Sequence, residues 1–224
     1  MGVTMTKFNT PEEWLMARRS HIGGSDAACI LGLNPWKSNT ELWEEKKGIR
    51  KPYSLEDNPL VLYGKRAEDH LRELFRWDYP EMAVIYEPNN MWYNSKYPWA
   101  HASLDGWLLR NRNPVTRYEE HGILEIKTAT ISGAAQKAKW ADGIPQSYYV
   151  QILHYLMVTE FDFAILKAQL KYEVPDKEVF AKVMHYRIER SEVEDDIAYL
   201  IEKEREFSEQ LLQPTPPARI LPEI

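Results

Sequence analysis

Cysteine is nearly absent from this chain: Cys29, inside the apolar run DAACILGL, is the only one in 224 residues. A single thiol can build neither a disulfide framework nor a cysteine-ligated zinc or iron–sulfur site, so a reducing, cytoplasmic setting is expected. No run of 18 apolar residues occurs, and the opening MGVTMTKFNTPEEW lacks the apolar core of a secretory signal. No membrane partner is expected. Excess positive charge is also missing: the formal net charge is −6, which excludes a protein that coats nucleic acid through bulk electrostatics. Any contact with DNA must be local, and the basic pairs Arg18 and Arg19, Lys65 and Arg66, Lys137 and Lys139, with Arg110, Arg112 and Arg117, are the places for it.

What the chain does have is core-forming material, 44% hydrophobic and 12% aromatic residues. That suffices for one domain, expected over residues 1–212, followed by a Pro-rich tail, QPTPPARILPEI, over 213–224. PEEWLMARRS reads as a helix, HIGGS as a turn and DAACILGL as a short helix capped by Ser25. SNTELWEEKKG carries a capping box, Ser38 with Glu41, and a terminating Gly48. In PLVLYGKRAEDHLRELFRW, the residues Ala67, Leu71, Leu74, Phe75 and Asp78 recur at helical spacing, with Glu68 bordering the stripe. Strands are expected in MAVIYE, WAHASLDGWLLR and GILEIKTA, then in FAILKAQL and VMHYRIER. A basic helix SGAAQKAKW, an amphipathic helix PQSYYVQILHYLMV and a charged helix SEVEDDIAYLIEKEREFSEQLL complete the order. Strands framed by helices predict an α/β fold, a central mixed sheet with helices on both faces.

The segments SLDGW and ILEIKTA flank a loop, NRNPVTRYEEHG, rich in turn-forming residues, so they read as two strands of one hairpin that brings Asp105 toward Glu125. Residues two apart share a strand face, so Glu125 and Lys127 point together while Ile126 faces the core. Two carboxylates about 4 Å apart repel by roughly 4 kcal/mol at an effective dielectric of 20. A cation must answer them. Lys127 neutralises one charge, and a hard ion such as Mg²⁺, with Mn²⁺ as an alternative, suits the rest. An ion with a lysine beside a water is a kit for phosphodiester hydrolysis. The bland alternative for Glu-x-Lys is an exposed ion pair on a wet strand.

The blocks ARRSHIGGSDAACILGLNPWKSNTELWEEKKG, YGKRAEDHL, ASLDG, LEIKTA and IPQSYYVQILHYLMVT, in that order from Arg18 to Thr159, resemble the phage lambda-exonuclease family, the YqaJ-like viral recombinases. That family belongs to the PD-(D/E)xK nuclease superfamily, whose restriction-endonuclease-like mixed sheet agrees with the layering above. The resemblance implies a Mg²⁺-dependent 5′ to 3′ exonuclease. It would act on double-stranded DNA ends, release 5′-phosphomononucleotides and leave a 3′ overhang for a single-strand annealing protein in the bacterial host cell. It also implies a ring-shaped homotrimer. Carried onto this chain, Asp105, Glu125 and the Ile126 carbonyl hold the metal and Lys127 is the catalytic lysine. Glu68 matches a helical acid near the attacking water, and Gln151 a glutamine supporting the nucleophile or Lys127. Arg18, Ser25 and Ser103 match a 5′-phosphate pocket, to which a helix starting after Ser25 would add backbone amides.

Two departures stand out. Leu104 replaces the superfamily's proline, and Gly133 stands where some members carry a phosphate-binding arginine. Lys137 or Lys139 is the candidate replacement, although lysine lacks the bidentate fork. His154 is read as a helix-face residue rather than a catalytic base, and Trp36, Trp43, Tyr148 and Tyr149 as mostly core, with stacking on or wedging a base as the alternative for one of them. A restriction-type endonuclease and a binding-only DNA-end module are the competing functions. The first needs a recognition insert that the spacing from Asp105 to Gln151 leaves little room for, and the second a broken site.

Overall fold

The computed structural model describes residues 2–55, 57–113, 118–141, 143–173 and 179–221. Along the chain run β1 (Val3–Lys7), α1 (Pro11–Arg19), β2 (Ile22–Gly23), α2 (Gly24–Ile30), α3 (Asn39–Lys46), α4 (Pro59–Asp78), β3 (Met82–Ile85), β4 (Asn90–Asn94) and β5 (Ala100–His101). Then follow β6 (Gly106–Asn113), β7 (Tyr118–Ile131), α5 (Ala134–Ala138), α6 (Gln146–Thr159), β8 (Phe163–Glu173), β9 (Val179–Glu189) and α7 (Glu194–Gln210).

Local chemistry sets the helix ends. The Thr10 hydroxyl accepts from the Glu13 amide, Pro11 opens α1, and Arg18 and Arg19 occupy its last turn where the dipole favours cations. Ser38 and Glu41 close the capping box of α3, and Gly48 takes a left-handed φ of 71° just beyond it.

Five strands form the central sheet in the order β3-β6-β7-β8-β9, with only the β7–β8 pair parallel. A parallel pair needs a long crossover, and the segment carrying α5 and α6 supplies it. Side chains alternate faces along β7: Leu124 and Ile126 pack with Leu71 and Phe75 of α4, whereas Ile123 packs with Leu153, Leu156 and Met157 of α6. The sheet is therefore sandwiched, α4 on one face and α2, α6 and α7 on the other. Helix α6 is buried from Ile152 to Thr159, which suits a segment apolar nearly all round.

Several expectations need correction. Leu74 is 52% exposed, so the buried stripe of α4 is carried by Leu71 and Phe75, and Asp78 instead binds the buried Lys167 (2.6 Å). WAHASLDGWLLR is not one strand: β5 ends at His101 and β6 begins at Gly106, because side chains replace the ladder between them. The basic helix shrinks to the five residues of α5. HIGGS contains the short β2, paired in parallel with β5, and β1 and β4 pair with each other in an antiparallel two-stranded sheet absent from the expected list. Ser25 does not cap α2, which already begins at Gly24 after Gly23; the Asp26 carboxylate accepts the Gly23 amide instead (3.0 Å). His154 faces inward and is fully buried, and Trp36 is 84% exposed, while Trp43 is core.

In the tail, the buried Asn39 side chain donates to the Ala218 carbonyl (2.8 Å) and accepts from the Ile220 amide (3.0 Å). Gly32, at φ 73°, lies under the Ile220 side chain. Residues 222–224 and 114–117, Arg117 included, lie outside the described residues, as does the side chain of Arg112.

Candidate active site

The antiparallel register sets Gly106 opposite Leu124, so Asp105 arrives one residue before the ladder begins, beside Glu125 and Ile126. Its Oδ2 accepts the Ile126 amide (2.8 Å), taking the place of a strand carbonyl. In an extended strand a residue's N–H and C=O leave on the same edge, so the Ile126 carbonyl stands on the Asp105 side as well. The segment before Asp105 is clamped by a side chain: Asn90 Oδ1 accepts the Leu104 amide (2.9 Å) and Asn90 Nδ2 donates to the Leu104 carbonyl (2.8 Å). The departure from proline is thereby put to use, since proline has no amide to give Asn90.

Glu125 is 2% exposed, and its Oε1 meets Lys127 Nζ at 2.5 Å and Gln151 Nε2 at 2.9 Å. The period-2 expectation for Glu125 and Lys127 holds, and Gln151 bonds the same carboxylate oxygen that Lys127 meets. Across the cleft, Arg72 of α4 is buried and bonded three ways, to the Asp105 carbonyl (2.6 Å), Asp69 (2.6 Å) and Glu68 (2.7 Å). Its guanidinium also stacks 3.6 Å from the Tyr86 ring.

A second group sits on the same cleft wall. Arg18 donates to the Ser25 hydroxyl (2.8 Å), and its guanidinium lies 5.1 Å from the Trp14 ring. Trp14 Nε1 donates to the Ser103 hydroxyl (3.1 Å). Both groups line one cavity of about 390 Å³, together with Glu68, Gln151, His101 and Tyr155. Lys137 and Lys139 are not brought in: they are exposed on α5 and away from the cleft lining. Ile126 contributes backbone only.

Electrostatics mark the carboxylate end as short of positive charge. Burial first, and then the neighbouring Asp105, raise the pKa of both Glu125 and Glu68; burial raises that of Asp105 as well. Burial disfavours charge on Lys127, yet Glu125 and Asp105 hold its pKa above the ordinary lysine value, so it stands as a cation. Glu125 Oε2 is buried with no hydrogen-bond partner. An orphaned carboxylate oxygen, a second carboxylate and a strand-edge carbonyl are the oxygen donors a hard divalent cation takes, so the residues fit such an ion. Among the described residues no three His, Cys, Asp or Glu side chains form a full cage.

A model of the YqaJ-like viral recombinase domain matches residues 13–162. The chain belongs to the YqaJ-like viral recombinase family. Within this family it is similar to the uncharacterized protein YqaJ of Bacillus subtilis strain 168, at 34% identity over 148 residues, 66% of this chain and 42% of that one. The chain thus spans less than half the length of that relative. In fold it is similar to the alkaline exonuclease LHK-Exo of Laribacter hongkongensis, with a TM-score of 0.58 at 16% identity, covering 89% of this chain and 94% of the other. LHK-Exo in complex with dAMP superposes with a TM-score of 0.57 at 17% identity over the same shares. The mixed sheet flanked by helices is therefore the exonuclease-type fold that the motifs imply.

Family motifs did not reveal Arg72, Trp14, Asn90, His101 or Tyr155. Arg72 carried a local signal, four residues after Glu68 and three after Asp69 on one helix. Asn90 carried none, because its partner Leu104 is distant in sequence and bound only through backbone.

Proposed function

We propose that this chain is a Mg²⁺-dependent 5′ to 3′ exonuclease of double-stranded DNA, releasing 5′-phosphomononucleotides and leaving a 3′ overhang for a single-strand annealing protein in the bacterial cytoplasm. The observation that carries the proposal is the single cleft lined at once by Asp105, Glu125 and Lys127 and by Arg18, Ser25 and Ser103. A hydrolytic centre beside an anion pocket suits removal of a terminal nucleotide.

Asp105, Glu125 and the Ile126 carbonyl would hold Mg²⁺, or Mn²⁺ in its place, and the ion would supply positive charge to the phosphate oxygens and acidify water. Lys127, kept cationic by its carboxylate neighbours, holds a phosphate oxygen or the attacking water. Gln151 orients Glu125 through the 2.9 Å bond, and Arg72 fixes Glu68 at the cleft wall. Arg18 takes the terminal phosphate with Ser25 and Ser103, its guanidinium backed by the Trp14 ring. Each cleavage leaves a new 5′ phosphate for the same pocket. The dAMP complex of LHK-Exo, a nucleoside monophosphate on the same fold, agrees with a mononucleotide product.

We further propose a ring of three chains, because a net charge of −6 calls for an enclosing surface to keep DNA in place. Light scattering should return three chain masses; a monomer that stays on DNA would refute the ring. The decisive assay compares linear duplex, labelled at either end, with covalently closed circles, each with Mg²⁺ and with EDTA. Release from 5′ ends in Mg²⁺ alone is expected, whereas nicked circles would turn the reading to a restriction-type endonuclease.

The pocket makes a separate prediction. A charge-assisted bond from Arg18 contributes about 1.5 to 3 kcal/mol, so 5′-phosphorylated ends should be cut roughly ten- to a hundredfold faster than 5′-hydroxyl ends. Arg18→Ala should remove most of that preference. Equal initial rates on both ends with the unaltered protein would show the pocket to be misassigned.

A further inference from the structure

Tyr155 lies one helical turn beyond Gln151 on α6, so both side chains leave the same face of the helix. Its ring reaches the cleft only because residue 24 is glycine: a Cβ there would stand 2.4 Å from a ring carbon. The residue is 6% exposed and lines the cavity.

Among the described residues the hydroxyl has one hydrogen bond, accepted from Gln151 Nε2 at 2.7 Å. The same amide group donates to Glu125 Oε1. Glu125 Oε1 already accepts from the Lys127 ammonium (2.5 Å) and so has no proton to give, which requires the nitrogen of Gln151 on this side and leaves Tyr155 as acceptor too. The phenol's own hydrogen therefore has no protein acceptor among the described residues, and even Glu125 Oε2 is unpartnered. Burial, with Glu125 adding to it, raises the phenol pKa, so the donor persists through neutral and alkaline pH. A buried donor without an acceptor is costly unless a ligand supplies one.

The ring touches Gly24, next to Ser25 of the anion pocket, while the hydroxyl is joined through Gln151 to Glu125. Tyr155 thus stands between the two ends of the cleft, where the acceptor of fitting chemistry is an anionic phosphodiester oxygen. We infer that the Tyr155 hydroxyl donates a hydrogen bond to a non-bridging oxygen of the DNA phosphate held between the anion pocket and the carboxylate–lysine cluster. This rests on the nuclease reading above and adds a substrate contact to it.

The test uses Tyr155→Phe in the full chain, which keeps the ring over Gly24 and deletes only the hydroxyl, with the melting temperature confirming the fold. The kcat/KM on 5′-phosphorylated linear duplex in Mg²⁺ should fall about ten- to a hundredfold, the range for a hydrogen bond to a charged group. The same deletion in a Gln151→Ala background should lose a similar factor again. No loss in the single variant, or a loss that vanishes without Gln151, would overturn the inference, the latter making Tyr155 a positioning residue for Gln151. Binding of a short 5′-phosphorylated duplex in Ca²⁺, followed by fluorescence anisotropy, separates the two readings. Weaker binding by Tyr155→Phe with no turnover by the unaltered protein would keep the contact and sink the nuclease. Active protein with unchanged binding and unchanged turnover in the variant would do the reverse.

Discussion

Lys127→Ala, Asp105→Ala and Glu125→Ala should each slow DNA cleavage by about a thousandfold or more, roughly 4 kcal/mol of lost transition-state stabilisation. Each side chain lines the cleft, and in the proposed mechanism each acts where the phosphate gains charge. None of the three fills the hydrophobic core, so circular dichroism and melting behaviour should remain those of a folded protein. Combining Lys127→Ala with Asp105→Ala should cost little beyond either alone, because residues acting on one transition state are far from additive. Near-normal turnover in any single variant, measured in single-turnover assays with Mg²⁺, would remove that residue from the assignment. Glu125→Ala also relieves the repulsion between two buried carboxylates, but it takes a partner from Lys127 and leaves that cation to Asp105, so with EDTA it should melt close to the unaltered protein.

A loss of stability, not of chemistry, is expected from Glu204→Ala. His154 and Glu204 are both 0% exposed, with Nδ1 and Oε1 2.6 Å apart, while His154 Nε2 lies 2.8 Å from the His101 carbonyl. Both partners of the imidazole are acceptors, so the ring donates from each nitrogen as an imidazolium. Burial opposes that charge, but Glu204 and the His101 carbonyl hold the His154 pKa above its ordinary value, with Asp26 adding to them. The neighbouring His101 imidazole stays neutral, its pKa pushed down to about 2 by burial and then by His154.

Removing one partner of a buried pair costs about 3 to 5 kcal/mol, and at this chain length each kcal/mol is worth roughly 2 to 4 °C. A drop in melting temperature of roughly 6 to 20 °C should result. A histidine whose folded pKa is raised contributes its full stability below the unfolded value of about 6.5, and loses it as pH rises through the folded value. The gap between the unaltered protein and Glu204→Ala should therefore narrow from pH 6 toward pH 9, measured by calorimetry. A gap that is constant or widens with pH would show that the pair is not an ion pair. Because the His101 carbonyl leads directly into Ser103 and Asp105, the variant should also weaken DNA cleavage near its melting temperature.

Much of the site was readable because its chemistry is local. Glu125, Ile126 and Lys127 share one strand, and a period of two decides which of them face the cleft. Asp105 could be placed opposite because the loop to Glu125 is short enough for a hairpin. The error at Ser25 came from a rule applied two residues too late: serine caps helices, but here Asp26 receives the Gly23 amide and the Ser25 hydroxyl turns to Arg18. For His154 the partner was the part that could not be read: an inward histidine on an apolar helix needs one, and Glu204 comes from a helix 50 residues on. Tyr155 was hidden for a similar reason: an aromatic residue on an apolar helix reads as core, and only the glycine beneath its ring lets the hydroxyl reach the cleft.

The sequence by itself determined the family, the mixed sheet, the capped helices and the grouping of carboxylates with a lysine, because covalent spacing and strand or helix period dictate which side chains share a face. Only the tertiary structure decided that Arg72, Asn90 and His154 tie α4, β4 and α6 to the backbone between His101 and Asp105, and that Trp14 links Arg18 to Ser103. Those links join residues far apart in the chain through single hydrogen bonds, often to backbone atoms that every residue carries. No periodicity announces them. They exist because the packing of helices against both faces of the sheet buries polar groups, and a buried polar group is stable only where the fold brings it a partner.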